Sequence, residues 1–572
     1  MRHESALMTA PIGLSAQPRS PAAASETWFD VLHSRAQLQA DQTAFTWLGA
    51  ASDNDASITY VELDARARAI AALLQRTGPP GERALLLMPP GLDFVAALFG
   101  CFYAGWIAVP AYPPPLNQRL ERIRTVAGDA QPRAALTSLV LLERIEPRLV
   151  DAPDLVQLHW LAIDAAIVAP DDRRVPDVTS NDPAVLQYTS GSTAAPRGVM
   201  LTHSNLIHNA AQIQRRFEAG PESRGLIWLP PYHDMGLIGG ILEGVWAGFP
   251  IALMAPVAFL QRPRRWLEAI TRTRATISGG PNFAYDLCVE RIPPPEREGL
   301  NLSSWRVAFN GSEPVRPTTL RRFAEAFGPY GFQQSAFYPC YGLAEASLMV
   351  SGGRVANAPV VIELEEGRDI IGCGESIDDQ TLLIVDPVSF VPCAPGEVGE
   401  VWVAGPSVAA GYWQQPTLTE EVFGARLANG SGPYLRTGDL GFLADAELFI
   451  TGRLKAVLIV GGRKIHAEDI EASLADLQPG ARPGSAVALS IEAGGQERLV
   501  VIHEVRAAAD PDATVRLIRA RIAEAHQIPV WAVVLTRPGG IPRTSSGKVQ
   551  RAASRALFVT RTFDPMYEWQ AP

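Results

Sequence analysis

The chain has 572 residues, 47% hydrophobic and 19% charged, with 48 Gly and 47 Pro. That is globular composition with ample core, and at roughly 100–200 residues per domain it predicts about three to five units. The net charge of −10 argues against a nucleic-acid binder, which carries a basic footprint, and fits a cytoplasmic enzyme.

The N-terminal MRHESALMTAPIGLSAQPRSPAAAS lacks the apolar core of a secretory signal. Its Ala/Pro/Ser content predicts a disordered leader over 1–25, with Met8 as an alternative start. The sequons at Asn301, Asn310 and Asn429 then carry no meaning. Five scattered cysteines without a CxxC pair point to free thiols rather than a disulfide framework or zinc site. The run Phe94–Tyr112 is apolar enough to suggest a membrane span, but Gly100, Gly105 and Pro110 interrupt it. A spanning helix needs about 20 apolar residues without such breakers, so the run predicts a βαβ unit in a covered parallel sheet.

From Glu26 to about 452, short apolar runs alternate with helical stretches: RALLLM (83–88), GLIWLP (225–230), PIALMAP (250–256), RATISGG (274–280) and WRVAFNG (305–311). Such alternation predicts an α/β body of mostly parallel sheets covered by helices. Pro317 followed by Leu320, Phe323, Phe327 and a glycine predicts a helix with one apolar face. From about 372 the pattern turns to short strands, a β-rich subdomain running to about 452. Residues 453–572 read as a small α+β C-terminal domain, with a helix over Asp512–His526 and a strand at AVVLT (532–536).

Within this frame, YTSGSTAAPRGVMLTH (188–203) concentrates hydroxyls and backbone amides. Thr189, Ser190, Ser192 and Thr193 with Gly191 could form a concave cradle for polyphosphate oxygens. It is not a Walker A loop, and alone it reads equally as a Ser/Gly-rich surface loop. LPPYHDMGLIGGIL (229–242) puts Tyr232, His233 and Asp234 in an apolar setting, and PCYGLAEASLMV (339–350) does the same for Tyr341 and Glu345. YLRTGDLGFL, GRLKAVLIVGGRKIHAEDIE and IPRTSSGKVQR follow in order.

Together with TSGST…PRG, these stretches resemble the adenylate-forming superfamily over nearly the whole chain from Glu26. PYHDMGLIGG, SGGPNFAYDLC, FNGSEPV and GPSVAAGYW look most like its fatty acyl-AMP ligases. The resemblance implies ATP-dependent activation of a fatty acid to acyl-AMP with Mg²⁺, then transfer to the phosphopantetheine thiol of an acyl carrier protein. It implies no membrane span and no nucleic-acid partner.

The site residues it implies are these. Thr189–Thr193 and Arg197 hold the β/γ phosphates, and Glu345 binds Mg²⁺, a hard cation that prefers oxygen ligands. Asp439 takes the ribose hydroxyls, with Arg453 as its ribose or phosphate neighbour. Asn310, Gly311, Ser312 and Glu313 form the adenine side, Tyr341 packs against the base and Gly342 follows it. His233 gates the acyl pocket beside the attacking carboxylate, with Tyr232, Asp234, Met235, Gly236, Ile238, Phe283 and Tyr285 around the chain. Lys548 is the catalytic lysine of a mobile C-terminal domain that rotates at Lys455. Outside their motifs, Glu345 reads as a surface carboxylate, Asp439 as a turn residue, and His233 and the apolar set as core.

Three departures bear on this reading. Ala194 and Arg197 stand where the superfamily writes Gly and Lys; arginine keeps the charge and adds a planar fork. Ala456 stands where an acidic residue is frequent. Segment 351–376 looks short for the insertion that fatty acyl-AMP ligases carry after YGLAEA, which leaves CoA open as an alternative acceptor. An amino-acid adenylation domain would need a pocket carboxylate for the substrate ammonium, and the surroundings of Asp234 are too apolar for one. A non-catalytic scaffold is opposed by the retained Glu345, Asp439, Arg453 and Lys548.

Overall fold

The alternating apolar runs build two large sheets with helices packed against them, an α/β body followed by a smaller C-terminal unit. The computed structural model describes the chain except residues 1–26, 50–53, 115–119, 166–173, 190–196, 365–367, 461–462, 475–476, 478–484, 494–495, 506–509, 527, 545–548 and 572. The leader expected over 1–25 lies outside the described residues.

The first sheet has six strands in the order His159–Ala162, Ala134–Thr137, Arg83–Leu86, Ile107–Pro110, Pro183–Thr189 and Arg197–Thr202. Its pairs are parallel except the last, where Pro183–Thr189 and Arg197–Thr202 run antiparallel. The run Phe94–Tyr112 lies here. Arg83–Leu86 leads into the helix Leu92–Ala104, and the chain returns as Ile107–Pro110 with Arg83 opposite Ile107. All eleven residues from Phe94 to Ala104 are buried, so a helix surrounded by protein explains the apolarity. Among the described residues no helix is long and apolar enough to cross a membrane.

The second sheet has nine strands, from Glu375–Ser376 at one edge to Ala56–Thr59 at the other. Its middle is parallel and both edges are antiparallel. Four of the apolar runs read from sequence supply its strands Gly225–Ile227, Ile251–Leu253, Ile277–Gly279 and Val307–Asn310. Val307–Asn310 pairs in parallel with Phe337–Gly342, Asn310 facing Pro339. Their carboxyl ends therefore open side by side, where open α/β sheets bind ligands.

The helix predicted after Pro317 spans Pro317–Phe327 and buries Leu320, Phe323 and Phe327. Gly328 does not reverse the chain as a terminal glycine usually does. It stays right-handed and opens a 3₁₀ turn, and the left-handed residue is Gly331, at φ 91°.

From Thr381 the chain forms a four-stranded antiparallel sheet, Thr381–Val385, Gly399–Ala404, Leu435–Ala444 and Glu447–Arg453. Beyond the turn Leu454–Ala456 comes a second four-stranded sheet, Ala486–Ala493, Gln496–Glu504, Val530–Thr536 and Tyr567–Gln570, with helices Ala467–Ser473, Pro511–His526 and Arg551–Val559. Ile470, Leu499, Val501, Ile518, Ile522 and Leu535 pack together in a core separate from that of the body.

Candidate active site

A cavity of about 490 Å³ lies at the carboxyl ends of the body's strands, within the range of small-molecule sites. The body, the first four-stranded sheet and the C-terminal residues Thr544, Val549, Gln550 and Arg551 all contribute to its wall.

One wall is polar and closely bonded. Asp439 sits on the strand Leu435–Ala444, opposite Arg453 across the antiparallel pair. The Tyr341 hydroxyl donates to Asp439 Oδ2 at 2.8 Å, and Arg453 Nε donates to Oδ1 at 3.1 Å. A carboxylate has about four acceptor sites, so two remain for ligand hydroxyls. The Asp439 charge raises the Arg453 pKa, while burial, then Asp439, pushes the Tyr341 phenol well up. Tyr341 thus reaches the Asp439 carboxylate as well as bordering the cavity.

Gly342 and Glu345 follow on the turn after the strand Phe337–Gly342. A Cβ on Gly342 would lie 1.7 Å from the Leu348 carbonyl oxygen, so only glycine admits the turn that holds Glu345. Tyr412 donates its hydroxyl to Glu345 Oε1 at 2.9 Å, and the Ala409 amide donates to the Glu345 carbonyl at 2.9 Å. Burial raises the Glu345 pKa, with the charge of Asp234 adding to it. The guanidinium of Arg197 lies 5.5 Å from the Tyr412 ring centroid, a cation–π distance. Arg197 opens the strand Arg197–Thr202 and faces Thr189 in the register. Ser190, Gly191, Ser192 and Thr193 lie outside the described residues, as does Lys548. Its described neighbours Thr544 and Val549 line the cavity. The Lys455 backbone is in the turn Leu454–Ala456; its side chain lies outside the described residues.

At the junction with the apolar wall stands His233, whose Nδ1 lies 2.6 Å from Asp234 Oδ1. The Met235 amide also approaches Nδ1, at 3.4 Å, so Asp234 and the start of the next helix both fix the ring. Tyr232 is buried beside it, donating to the Met88 carbonyl at 2.6 Å. Met235 lies against Ser312, whose hydroxyl donates to the thioether. Ser312 is itself left-handed, at φ 70°, the kind of backbone strain that clusters at functional sites.

Tyr232, His233, Asp234, Met235, Gly311, Ser312, Tyr341, Gly342, Glu345, Asp439, Arg453 and Arg197 are thus brought to one cavity. Other described candidates lie outside its lining. Asn310 is fully buried and donates to Asn282 beneath the Gly311–Ser312 turn, and Glu313 lies outside the lining. Tyr285 is 0% exposed, donates to the Phe309 carbonyl and packs among Trp266, Trp305, Phe323 and Phe337. Phe283 packs on Trp228, Ile238 is buried in a π-helical turn, and the Gly236 backbone lies against Pro230. None of these four lines the cavity. The apolar lining comes instead from Ile213, Phe217, Gly239, Phe309, Leu348 and Met349.

The family model "AMP-binding enzyme" matches residues 32–413, more than half of the chain. The chain belongs to the AMP-binding, adenylate-forming enzymes. It is 42% identical over 574 residues to a medium-chain-fatty-acid–[acyl-carrier-protein] ligase, JamA, of Moorena producens, covering 95% of this chain and 96% of that protein. It is 35% identical over 555 residues to the long-chain-fatty-acid–AMP ligase FadD23 of Mycobacterium tuberculosis, covering 91% and 94%. Among solved structures it resembles a fatty acyl-adenylate ligase from Legionella pneumophila in complex with acyl adenylate and pyrophosphate, with 37% identity, TM-score 0.74 and coverage of 96% and 98%.

As an adenylate-forming enzyme the protein uses ATP. Among the described residues no group of three or more His, Cys, Asp or Glu could hold a metal. Burial disfavours the ionised form of Glu345, and a cation held there, as Mg²⁺ is by one or two carboxylates plus substrate phosphates, would offset that. Tyr412 and Glu400 belong to the site but escape a motif-by-motif reading. Both lie in stretches that stand out in sequence, GPSVAAGYW and GEVGEVWVAGP, yet their partners are 67 and 36 residues away.

Proposed function

We propose that this enzyme activates a fatty acid with ATP to acyl-AMP, releasing pyrophosphate, and passes the acyl group to the phosphopantetheine thiol of an acyl carrier protein. The observation that carries the reading is a single cavity whose polar wall suits a nucleotide and whose apolar wall suits an alkyl chain, with His233 between them.

A carboxylate oxygen of the acid bonds to the α-phosphorus as the bond to the pyrophosphate oxygen breaks. Both partners are anionic, so alignment and charge neutralisation are the protein's main tasks. Asp439 and Arg453 hold the ribose, Gly311 and Ser312 border the adenine, and Arg197 with the 189–193 loop holds the β/γ phosphates. His233, fixed by Asp234, orients the attacking carboxylate away from the apolar wall. Lys548 bridges carboxylate and α-phosphate as charge shifts between them. Mg²⁺ at Glu345, when bound, neutralises phosphate charge. In the second step the thiol sulfur bonds to the acyl carbon, the carbon–oxygen bond to AMP breaks, and the thiol proton is lost to solvent. Residues 453–572 are the mobile domain, turning at Lys455 between the two steps.

The 42% identity to a carrier-protein ligase, against 36% to a "putative fatty-acid–CoA ligase" of Mycobacterium tuberculosis covered to the same 96%, supports a carrier protein over CoA. Segment 351–376, short in sequence, holds an antiparallel hairpin, Val361–Leu364 with Arg368–Ile371. The test is incubation with ATP, Mg²⁺ and straight-chain acids, with CoA and a phosphopantetheinylated carrier protein in parallel. Acyl-AMP and pyrophosphate should appear with the acids, and the carrier protein should become acylated. Acyl-CoA formed as fast as acyl-carrier protein would overturn the acceptor, and no pyrophosphate on any acid would overturn the activity.

A further inference from the structure

Glu400 lies within the first four-stranded sheet, 2% exposed. Its Oε2 accepts from Trp402 Nε1 at 2.9 Å and from Arg436 Nε at 3.0 Å, while Arg436 Nη2 lies 2.8 Å away. Its Oε1 accepts from the backbone amide of Gly438 at 3.1 Å. The Arg436 guanidinium also lies near the rings of Phe390 and Trp402, 5.2 and 5.7 Å from their centroids. Burying such a pair costs desolvation that a well-packed apolar pair avoids, so stability alone is a poor reason for it.

What the carboxylate holds is a bulged stretch of the strand Leu435–Ala444, where its register against Gly399–Ala404 shifts. Gly438 sits at φ 71°, a conformation that favours glycine, and its amide is fixed by Glu400. The next amide, that of Asp439, donates to Thr437 Oγ1 at 3.1 Å, and Thr437 Oγ1 donates to the Val401 carbonyl at 2.7 Å. The strand carrying Glu400 therefore grips this bulge at the Gly438 amide and at the Thr437 hydroxyl, and the residue so delivered is Asp439.

We infer that Glu400 is a positioning residue for recognition of the nucleotide ribose, acting through the Gly438 amide to aim Asp439. This rests on the proposed ribose role of Asp439. Once the bulge is fixed, the Asp439 carboxylate meets Tyr341 and Arg453 and keeps its remaining acceptor sites for the two hydroxyls. With the bulge loosened, the carboxylate can still exist but no longer stands where both hydroxyls reach it.

The test compares ATP with 2′-deoxy-ATP and 3′-deoxy-ATP in pyrophosphate release by the full-length enzyme. Glu400→Gln keeps the shape but weakens the charge-assisted grip on Arg436 and Gly438. It should lower kcat/KM for ATP about tenfold while changing that for the deoxynucleotides about twofold or less, collapsing the ratio. An equal fall for all three nucleotides would mean a merely structural role and overturn the inference. Should Glu400→Gln not yield folded protein, Arg436→Lys, which keeps a cation but loses the fork, decides by the same ratio. Asp439→Asn separates the two claims. If it leaves the ratio unchanged, the ribose reading itself fails. If it collapses the ratio and the Glu400 and Arg436 variants do not, only the inference fails.

Discussion

The two walls of the cavity are built by different means. On the polar wall each functional group is held by named bonds: Asp439 by Tyr341 and Arg453, Glu345 by Tyr412, His233 by Asp234. On the apolar wall Ile213, Phe217, Gly239, Leu348 and Met349 present no polar side-chain group, and they come from a helix, a π-helical turn and the start of the strand Met349–Gly352. Bonded geometry is intolerant of small displacements, because a misplaced donor loses its bond and still carries its desolvation cost. A packed surface changes shape by a methylene at a time and only shifts preference. The nucleotide side should therefore fail sharply on substitution and the acyl side should retune.

The largest effect should come from Lys548→Ala. Removing one donor that stabilises transition-state charge typically costs about 10²–10³ in rate, so acyl-AMP formation should fall by that much while ATP binding, measured by calorimetry, changes little. Wild-type adenylation by this variant would sink the assigned mechanism and with it the expectation of sharp failure.

Next is the support of Glu345. Tyr412→Phe removes the hydroxyl from Oε1 and keeps the ring beside Arg197. Loss of such an outer partner typically costs about 10–100-fold in metal affinity. The Mg²⁺ concentration for half-maximal pyrophosphate release should rise by that range, and Mn²⁺ binding followed by water proton relaxation should weaken in parallel. Unchanged Mg²⁺ dependence would place the metal elsewhere.

The same contrast explains what could be read from the sequence. The α/β body, the covered helix Leu92–Ala104 and most of the polar wall are legible, because each residue proposed to face phosphate or ribose lies in a short local motif. RTGD and YGLAE carry their glycines and carboxylates within a few positions, so spacing and chemistry coincide. The apolar wall was not legible. Ile213 and Phe217 share one face of a helix, but helical spacing does not say whether that face meets core or cavity. Phe283 and Tyr285 follow the same rule in reverse: placed beside SGGPN, they look like pocket residues, and tertiary packing gave Tyr285 to an aromatic core. Glu400 and Tyr412 were hidden for another reason, since sheet pairing joins them to partners dozens of residues distant.

Retuning of the apolar wall is tested by Gly239→Leu. A Cβ at this position would lie 2.9 Å from Leu348 Cδ2, the far end of a flexible side chain that can swing aside. The new side chain should consume cavity length rather than unfold the protein. Mismatch by a methylene or more in an apolar pocket is worth about 10–200-fold. The longest accepted acid should lose that much in kcat/KM, while the shortest changes little and the optimum moves to shorter chains. Equal loss for all chain lengths would show that Gly239 does not border the acyl chain.

The mildest change should be Arg197→Lys. The guanidinium lies 5.5 Å from the Tyr412 ring, and Tyr412 in turn holds Glu345, so the cation stands at the seam between the proposed phosphate and metal positions. Lysine keeps the charge but loses the planar fork and most of the stacking. If charge alone is required, KM for ATP should rise about threefold with kcat nearly constant, whereas Arg197→Ala should raise it about tenfold or more. The comparison of walls predicts which outcome matters. A fall in kcat for Arg197→Lys as large as that for Arg197→Ala would mean that the fork itself is bonded in the transition state, making Arg197 as exacting as Asp439 rather than a replaceable charge.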